Sequence, residues 1–379
     1  MELGLSEEQA LLQETLRQLC EDRFPLEALR RTEAEEDGFP REFWDTLCEL
    51  GVPGIAIAER FGGLGMGLLE CALVHEQLGR FLVPTPHFVS SILAAEVIAR
   101  SGEESWLSLW LPGIADGSHI MTVATLESGV GHDLSAMGAE LTPLDEGARL
   151  SGTKHFVPFA SVADDLLVLA RNPKTGAVTA AIVPREAEGV SIRRQESLAT
   201  EPCFEIAFDD VVVGADRILS GDADIGAAWH GAMCTGLVVL AAQAVGAAQH
   251  IHEISTAYAK EREAFGRPIG GFQAIAHYLA DAIVEIEGCR TLVYQAAWRR
   301  DNGRAYQSAA AIAKLQACAM FRRVSALGIQ VHGGLGYTIE ADPQLFFRRA
   351  KQWQLLNWDD AFLEEEIARL TIDEEPERV

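Results

Sequence analysis

The chain has 379 residues, 48% of them apolar, which is enough to bury a sizeable core and too much for one ordinary domain. Its 31 Lys and Arg stand against 56 Asp and Glu, and the resulting net charge of −25 excludes a general affinity for nucleic-acid backbones or anionic membrane surfaces. Small anionic ligands are not excluded, because a few placed Arg side chains and helix N-termini bind phosphate locally.

The Cys residues (20, 48, 71, 203, 234, 289 and 318) are odd in number and scattered, with no C-x-x-C. A reduced, cytoplasmic protein with buried thiols is expected, not a disulfide framework or a zinc site. Met1-Glu2-Leu3-Gly4 is not followed by a basic and then apolar run, so no signal peptide is expected.

Helical patterning runs to about residue 117. Ser6-Glu7-Glu8-Gln9 predicts a capping box opening a helix through Cys20. Pro40 starts a second helix that Gly51 ends, and further helical patterns cover Leu68 to Leu78 and Phe88 to Arg100. From about 119 to 216 the period changes. Ile120-Met121-Thr122-Val123, Leu166-Leu167-Val168-Leu169 and Ala180-Ala181-Ile182-Val183 are short β-rich runs between turn residues. Glu205-Ile206-Ala207-Phe208 alternates polar and apolar, and together these predict a small antiparallel sheet or barrel.

From about residue 224 the pattern is helical again, with longer elements. Leu237 to about Glu261 has no Pro, and about 25 residues at 1.5 Å each would span roughly 40 Å. Its small residues Ala241, Ala242, Ala244, Gly246, Ala247 and Ala248 permit close helix approach, and Ala309 to Gly328 repeats the theme. A long helical bundle is therefore predicted. The apolar run from Gly236 to Ala248 is too short to span a bilayer and suits a buried helix. The tail Asp373-Glu374-Glu375-Pro376-Glu377 is expected to fray.

Three motifs are more specific. Ala58-Glu59-Arg60-Phe61-Gly62-Gly63-Leu64-Gly65 resembles the P-E-x-[YF]-G-G-x-G turn of the acyl-CoA dehydrogenase family. Tyr258-Ala259-Lys260-Glu261-Arg262-Glu263-Ala264-Phe265-Gly266-Arg267-Pro268-Ile269, followed by Phe272-Gln273, resembles that family's Y-x-x-x-R-x-x-F-G-x-P-I…Q signature. Gln330-Val331-His332-Gly333-Gly334-Leu335-Gly336-Tyr337 is similar to its Q-x-x-G-G-x-G-[YF] motif. The resemblance implies a mostly helical α+β fold. Its parts are an N-terminal helical domain (1–117), a central antiparallel β-domain (118–220) and a C-terminal four-helix bundle carrying the oligomer interface (221–379). It also implies FAD at a subunit interface and α,β-desaturation of an acyl-CoA thioester. In that reaction a carboxylate takes the α proton, flavin N5 takes the β hydride, and the electrons pass to an electron-transfer acceptor.

Singly, the motif residues have plainer readings. Arg262 alone would be a solvated charge, Gly333-Gly334 a turn, and Glu364-Glu365-Glu366 a solvated helix face. His250, His252 and His332 have no accompanying carboxylate or Cys pattern for a metal. Within their motifs, Arg262, Phe265, Gln273, Gln330, Gly333 and Gly334 match the family residues that reach across a dimer to the neighbour's FAD pyrophosphate and adenosine.

The flavin-facing positions depart from the family. Its T-E-P-G-A-G-S-D aligns without a gap on Leu126 to Asp133, so the flavin-contacting Thr is Leu126. Its W-I-[ST] falls on Phe156-Val157-Pro158, which removes a hydroxyl and an N–H. Counting seventeen residues on from Glu340 puts Asn357, a neutral amide, at the family's catalytic Glu. Trp358 replaces the following Gly, where its bulk would crowd the entry to the flavin. A minority of members carry the base ten residues before the Gly of A-x-G-x-x-Q, and counting back from Gly246 gives Gly236.

The resemblance then implies the base-less subunit of a heteromeric (α2β2) dehydrogenase, of the kind known among actinobacterial enzymes of steroid side-chain breakdown. A related chain would supply the flavin pocket and base, and this chain would clamp that chain's FAD. Three alternatives stay open. They are a self-sufficient dehydrogenase with Asp359 or Asp360 as base, a flavin monooxygenase-like relative, and a non-catalytic acyl-CoA-binding or interaction protein.

Overall fold

Ser6 starts the first helix as its spacing predicts. Its Oγ accepts from Gln9 N at 3.1 Å, and the Gln9 side chain accepts from Ser6 N at 3.0 Å, a complete capping box. The computed structural model describes residues 4–219 and 224–373. The expected domain boundary at residue 220, and residues 374–377 of the tail expected to fray, lie outside the described residues.

In chain order the helices are α1 (Glu7–Arg23), α2 (Leu26–Ala34), α3 (Arg41–Glu49), α4 (Leu68–Arg80), α5 (Ala95–Ser101) and α6 (Glu104–Asp116). After the β-region come α7 (Ile225–Glu261), α8 (Gln273–Asp301), α9 (Gln307–His332), α10 (Pro343–Leu355) and α11 (Asp360–Ala368). They belong to two compact units, one of Met1–Arg31, Gly67–Val83 and Leu237–Val379, the other of Thr32–Met66 and Pro84–Gly236.

The first unit is a helical bundle in which α8 packs on α4 and α9, and α9 on α10 and α11. Its tightest crossing joins α4 to α7. A Cβ on Gly246 would overlap the Glu76 carbonyl, and a Cβ on Gly79 would overlap the Gln243 carbonyl. The small-residue stretch of α7 therefore does what its composition predicts, and only glycine fits at these two points. The Glu76 side chain leaves the same crossing to accept from Arg290 Nε and Tyr294 Oη, each at 3.1 Å.

Helix α7 is longer than predicted because Asp224 opens it earlier, its Oδ1 accepting from Ala227 N at 3.0 Å. The glycines at 231 and 236 disguise this first third. Side chains there would meet the Arg100 guanidinium at 2.6 Å and Leu93 Cδ2 at 2.9 Å, so these glycines sit under neighbouring side chains and do not break the helix. By length and hydropathy α7 could cross a membrane, but its most apolar window is 94% buried, as in a bundle core.

The second unit is built on a sheet of β1 (Met121–Ala124), β2 (Glu140–Pro143), β3 (Ala148–Pro158), β4 (Asp165–Arg171), β5 (Val178–Pro184), β6 (Val190–Gln195), β7 (Cys203–Val213) and β8 (Ile218–Leu219). The order is β6-β7-β3-β2-β4-β5-β8, with β1 on β4. Pairing is antiparallel except that β1, and β2 through one pair, run parallel to β4. The β2–β3 hairpin separates these strands in sequence and leaves them free to align that way. The Leu166–Leu169 run is buried throughout, as a strand covered on both faces requires. Phe88 to Ala94 winds as a π-helix before α5, and Ser90 Oγ accepts from Met121 N at 3.1 Å. All the cysteines are free, and burial pushes the Cys20 thiol up to about 12.

Candidate functional site

The residues matched to a dinucleotide's tail all lie in the helical unit. Helix α7 ends at Glu261, and Arg262 leads into a two-stranded ribbon, β9 (Glu263–Ala264) with β10 (Arg267–Pro268). Its turn residues Phe265 and Gly266 have φ of +54° and +79°, the two left-handed positions of a type I′ hairpin. Ile269 N donates to Arg262 O at 2.8 Å, extending the ribbon by one rung. Ile269 also packs with Tyr258, Ile275 and Leu327 on a small core of Ala259, Leu279 and Val331. That core joins the end of α7, the start of α8 and the end of α9, and so carries Arg262, Gln273 and Gln330 on one support.

The support is rigid where it needs to be. The His332 ring stacks on Tyr258 at 4.2 Å, and its Nδ1 lies 2.8 Å from Gly328 O. Gly333 has φ +61° and ψ −142°, which only glycine adopts without strain. A Cβ on Gly333 or Gly334 would meet nothing within 4 Å, so bare backbone faces open space. Arg262, Gln273 and Gln330 are exposed, and Phe265 is 96% exposed. Arg262 has no ion-pair partner among the described residues, in a chain of net charge −25. A free guanidinium, side-chain amides and approachable backbone are what a pyrophosphate needs.

The positions matched to a flavin ring's surroundings in the β-unit offer much less. Leu126 is half-buried, and its carbonyl accepts from His155 N at 2.9 Å. Phe156 sits in a bulge of β3 at φ +51°, and its N–H is already given to Gln195 Oε1 at 2.7 Å. Pro158 has no N–H, and its carbonyl takes the Thr122 hydroxyl. Hence none of the three side chains carries a hydroxyl, the Phe156 N–H is already used and Pro158 has none.

The loop between Leu126 and β2 is nevertheless firmly held. Glu127 accepts from the buried Lys154 Nζ at 2.6 Å, from Gly138 N at 2.6 Å and from Ala139 N at 3.0 Å. Burial works to raise the Glu127 carboxyl, but Lys154 and the two backbone donors hold it below its usual value. Burial also pushes the Lys154 ammonium down.

The two base positions hold no acid. Asn357 and Trp358 have φ of +56° and +67°. The fully buried Lys314 of α9 donates to the carbonyls of Trp358 at 2.6 Å and Gln354 at 3.1 Å, holding this turn from below. The Trp358 ring is buried against Phe362. At the other position, a side chain on Gly236 would strike Leu93 Cδ2 at 2.9 Å and Phe88 Cε2 at 3.1 Å, so the place is filled. The two neighbouring acids have structural work. Asp359 caps α11, its Oδ1 accepting from Phe362 N at 3.0 Å, and Asp360 Oδ2 accepts from the Gln354 amide.

His250 Nδ1 lies 2.6 Å from Arg80 O between the rings of Phe81 and Phe346, and His252 Nε2 lies 2.9 Å from Leu279 O. Among the described residues no group of His, Cys, Asp and Glu could hold a metal ion. Sequence reasoning did not single out Lys314, Lys154 or Gln195. A lone Lys in the Ala-rich Ala309–Gly328 stretch was the one available signal for the first.

Helices, then a β-sheet, then a helical bundle are the order of elements in the acyl-CoA dehydrogenase fold. Family models for the N-terminal, middle and C-terminal domains of acyl-CoA dehydrogenase match residues 6–118, 122–211 and 232–369. The chain belongs to this family, whose members are oxidoreductases acting on acyl-CoA and bind FAD. It is 30% identical over 362 residues to the short-chain specific acyl-CoA dehydrogenase of Clostridium acetobutylicum, covering 93% of this chain and 94% of that one. Among solved structures it is similar to the ChsE4–ChsE5 complex of Mycobacterium tuberculosis, with 27% identity, TM-score 0.89, and 99% and 100% of the two chains covered. It is also similar to a variant of the Tcur3481–Tcur3483 steroid ACAD, with 32% identity, TM-score 0.85, and 97% and 98% covered.

Proposed function

We propose that this chain is the base-less subunit of a heteromeric, FAD-dependent acyl-CoA dehydrogenase, and that it completes the FAD site of a related partner chain. One contrast carries the reading. The exposed face of Arg262, Phe265, Gln273, Gln330, Gly333 and Gly334 is intact and open, while the positions matched to the flavin ring and the base lack side-chain hydroxyls and an acid. When bound, FAD supplies the hydride acceptor. On this reading Arg262 neutralises the partner's FAD pyrophosphate, Gln273 and Gln330 give amide contacts, and Gly333-Gly334 lets backbone approach.

The side chains of Leu126, Phe156 and Pro158 offer no polar contact to a ring, and Asn357 cannot take a proton at neutral pH. The similarity to a two-name complex and to a steroid ACAD supports a bulky, steroid-type acyl-CoA as substrate of the assembly. It supports a heterotetramer in lipid breakdown that hands electrons to a separate acceptor. The free thiols support a cytoplasmic setting.

The test is co-expression with an adjacent, Glu-bearing relative. The pair is expected to purify as a yellow complex with one FAD per chain pair, and this chain alone to be colourless. Arg262→Ala in this chain is expected to release FAD although the ring sits in the partner. A yellow, active preparation of this chain alone would overturn the reading.

A further inference from the structure

Resting on the reading that Arg262 grips a partner chain's FAD, we propose that Arg267 is a second cationic contact of the same clamp, meeting the dinucleotide's phosphates beside Arg262. The register of the ribbon places them together. Ala264 pairs with Arg267 and Glu263 with Pro268, and Ile269 N bonds to Arg262 O. Side chains alternate along a ribbon, so Ala264 and Arg267 share one face, and the Ile269 N to Arg262 O bond sets the Arg262 backbone one rung beyond the Glu263–Pro268 pair. Arg262 and Arg267 form a diagonal cross-strand pair, about 7–8 Å apart and within the span of two phosphates for side chains this long.

The second observation is that Arg267 is held in place without an acid. Its guanidinium stacks over the Phe272 ring at 4.0 Å, and Phe265 meets the same ring edge-on at 6.2 Å. Its stem passes Gly271, with Cδ 3.8 Å from where a Cβ would stand. Phe272 directly precedes Gln273, so the stacked cation lies beside the first turn of α8, whose N-cap residue supplies no side-chain acceptor. A stacked guanidinium has lost little of its donor capacity and much of its freedom, which suits its fork to two oxygens of a phosphate.

Third, neither Arg262 nor Arg267 has an ion-pair partner among the described residues, although acids outnumber bases 56 to 31 in the chain. Two exposed like charges on one short ribbon repel each other, and an anion placed between them removes that cost. A diphosphate carries enough charge for both. The hairpin itself is rigid through its two-residue turn, so the pair is preorganised and does not assemble around the ligand.

The experiment uses the co-expressed complex and FAD itself. Equilibrium FAD affinity and its dependence on KCl are measured for wild type, Arg262→Ala, Arg267→Ala and Arg267→Glu, with thermal melting of each complex as the folding control. Arg267→Ala is expected to weaken FAD about tenfold, the loss of one charge-assisted contact, and to flatten the KCl dependence. Arg267→Glu is expected to weaken it further. If Arg262→Ala releases FAD while both Arg267 variants keep wild-type affinity and salt dependence, the second contact is wrong and the clamp stands. Equal, salt-independent losses in both Arg267 variants would mark a structural role and also overturn the contact. If Arg262→Ala itself keeps FAD, the clamp reading falls and the Arg267 contact with it.

Discussion

Single residues bear on how the loop at Asn357 is read. A general base has to keep a lone pair free and aimed at its proton, and Asp359 spends its carboxylate on the first turn of α11. Asp359→Ala is therefore expected to cost about 1 kcal/mol of stability, as loss of a helix cap does, and to leave the turnover of an assembled complex unchanged. A true base would show itself as a fall of roughly 10²–10⁴-fold in turnover with melting unaffected. Activity and thermal melting of the same variant separate the two.

His87 gives a second residue-level expectation. It is wholly buried, its Nε2 lies 3.0 Å from Val52 O, and burial drives its pKa down to about 4 from the ordinary 6.5. The folded state keeps the ring neutral and the unfolded state protonates it below about 6.5, so stability falls as pH drops from 6.5 towards 4 and then levels. The loss is about 2 kcal/mol between pH 7.5 and pH 5. Comparing the unfolding of wild type and His87→Gln at those two pH values isolates it, because the many surface acids titrate alike in both proteins. An equal pH sensitivity in the variant would remove His87 as the cause.

At the scale of elements, what could be read from the sequence depended on how local the physics was. The Ser6 capping box, the Pro40-to-Gly51 helix and the apolar strands around Leu166 and Ala180 depend on neighbours a few residues away, and they form as predicted. Strand β3 escaped notice because its apolar pattern is broken by Gly152, Lys154 and His155. Lys154 is tolerated inside only because Glu127, far along the chain, neutralises it. The first third of α7 lay inside the region read as helical but outside the Leu237–Glu261 span, because its glycines pack under Arg100, Phe88 and Leu93 and weaken the helical pattern. Arg262, Phe265 and Gln273, and Gln330, Gly333 and Gly334, could be singled out because each set lies within one short family motif, whereas Lys314 stands out only through its bonds to the carbonyls of Gln354 and Trp358.

The α4–α7 crossing yields the element-scale prediction. Gly246 and Gly79 each meet a carbonyl of the opposite helix, so an added methyl forces the axes apart along their length. Gly246→Ala improves intrinsic helix propensity by about 1 kcal/mol and is nevertheless expected to destabilise the chain by about 3 kcal/mol or more. Thermal or denaturant unfolding checks the sign. Gly288, on α8 with nothing within 4 Å of its would-be Cβ, is the control, and Gly288→Ala is expected to be neutral or stabilising.

For the whole molecule, charge and cofactor pull in opposite directions, and salt separates them. A chain of net charge −25 repels itself, and closing acidic chains into an oligomer repels more. Raising KCl shortens the screening length from about 30 Å at 0.01 M to about 10 Å at 0.1 M, so the thermal midpoint of this chain is expected to rise with salt. The face proposed to hold a dinucleotide's tail is the local exception, with an exposed Arg262 that has no ion-pair partner among the described residues. The proposed grip on a pyrophosphate would be a Coulombic contact at the surface, and the same KCl is expected to weaken it. A single titration of the complex with KCl, followed by flavin absorbance after desalting and by thermal melting, should therefore show FAD retention falling while the midpoint rises. If both rise together, FAD is held mainly by burial of its ring and not by charges at its tail, and the division of labour between the chains would have to be drawn elsewhere.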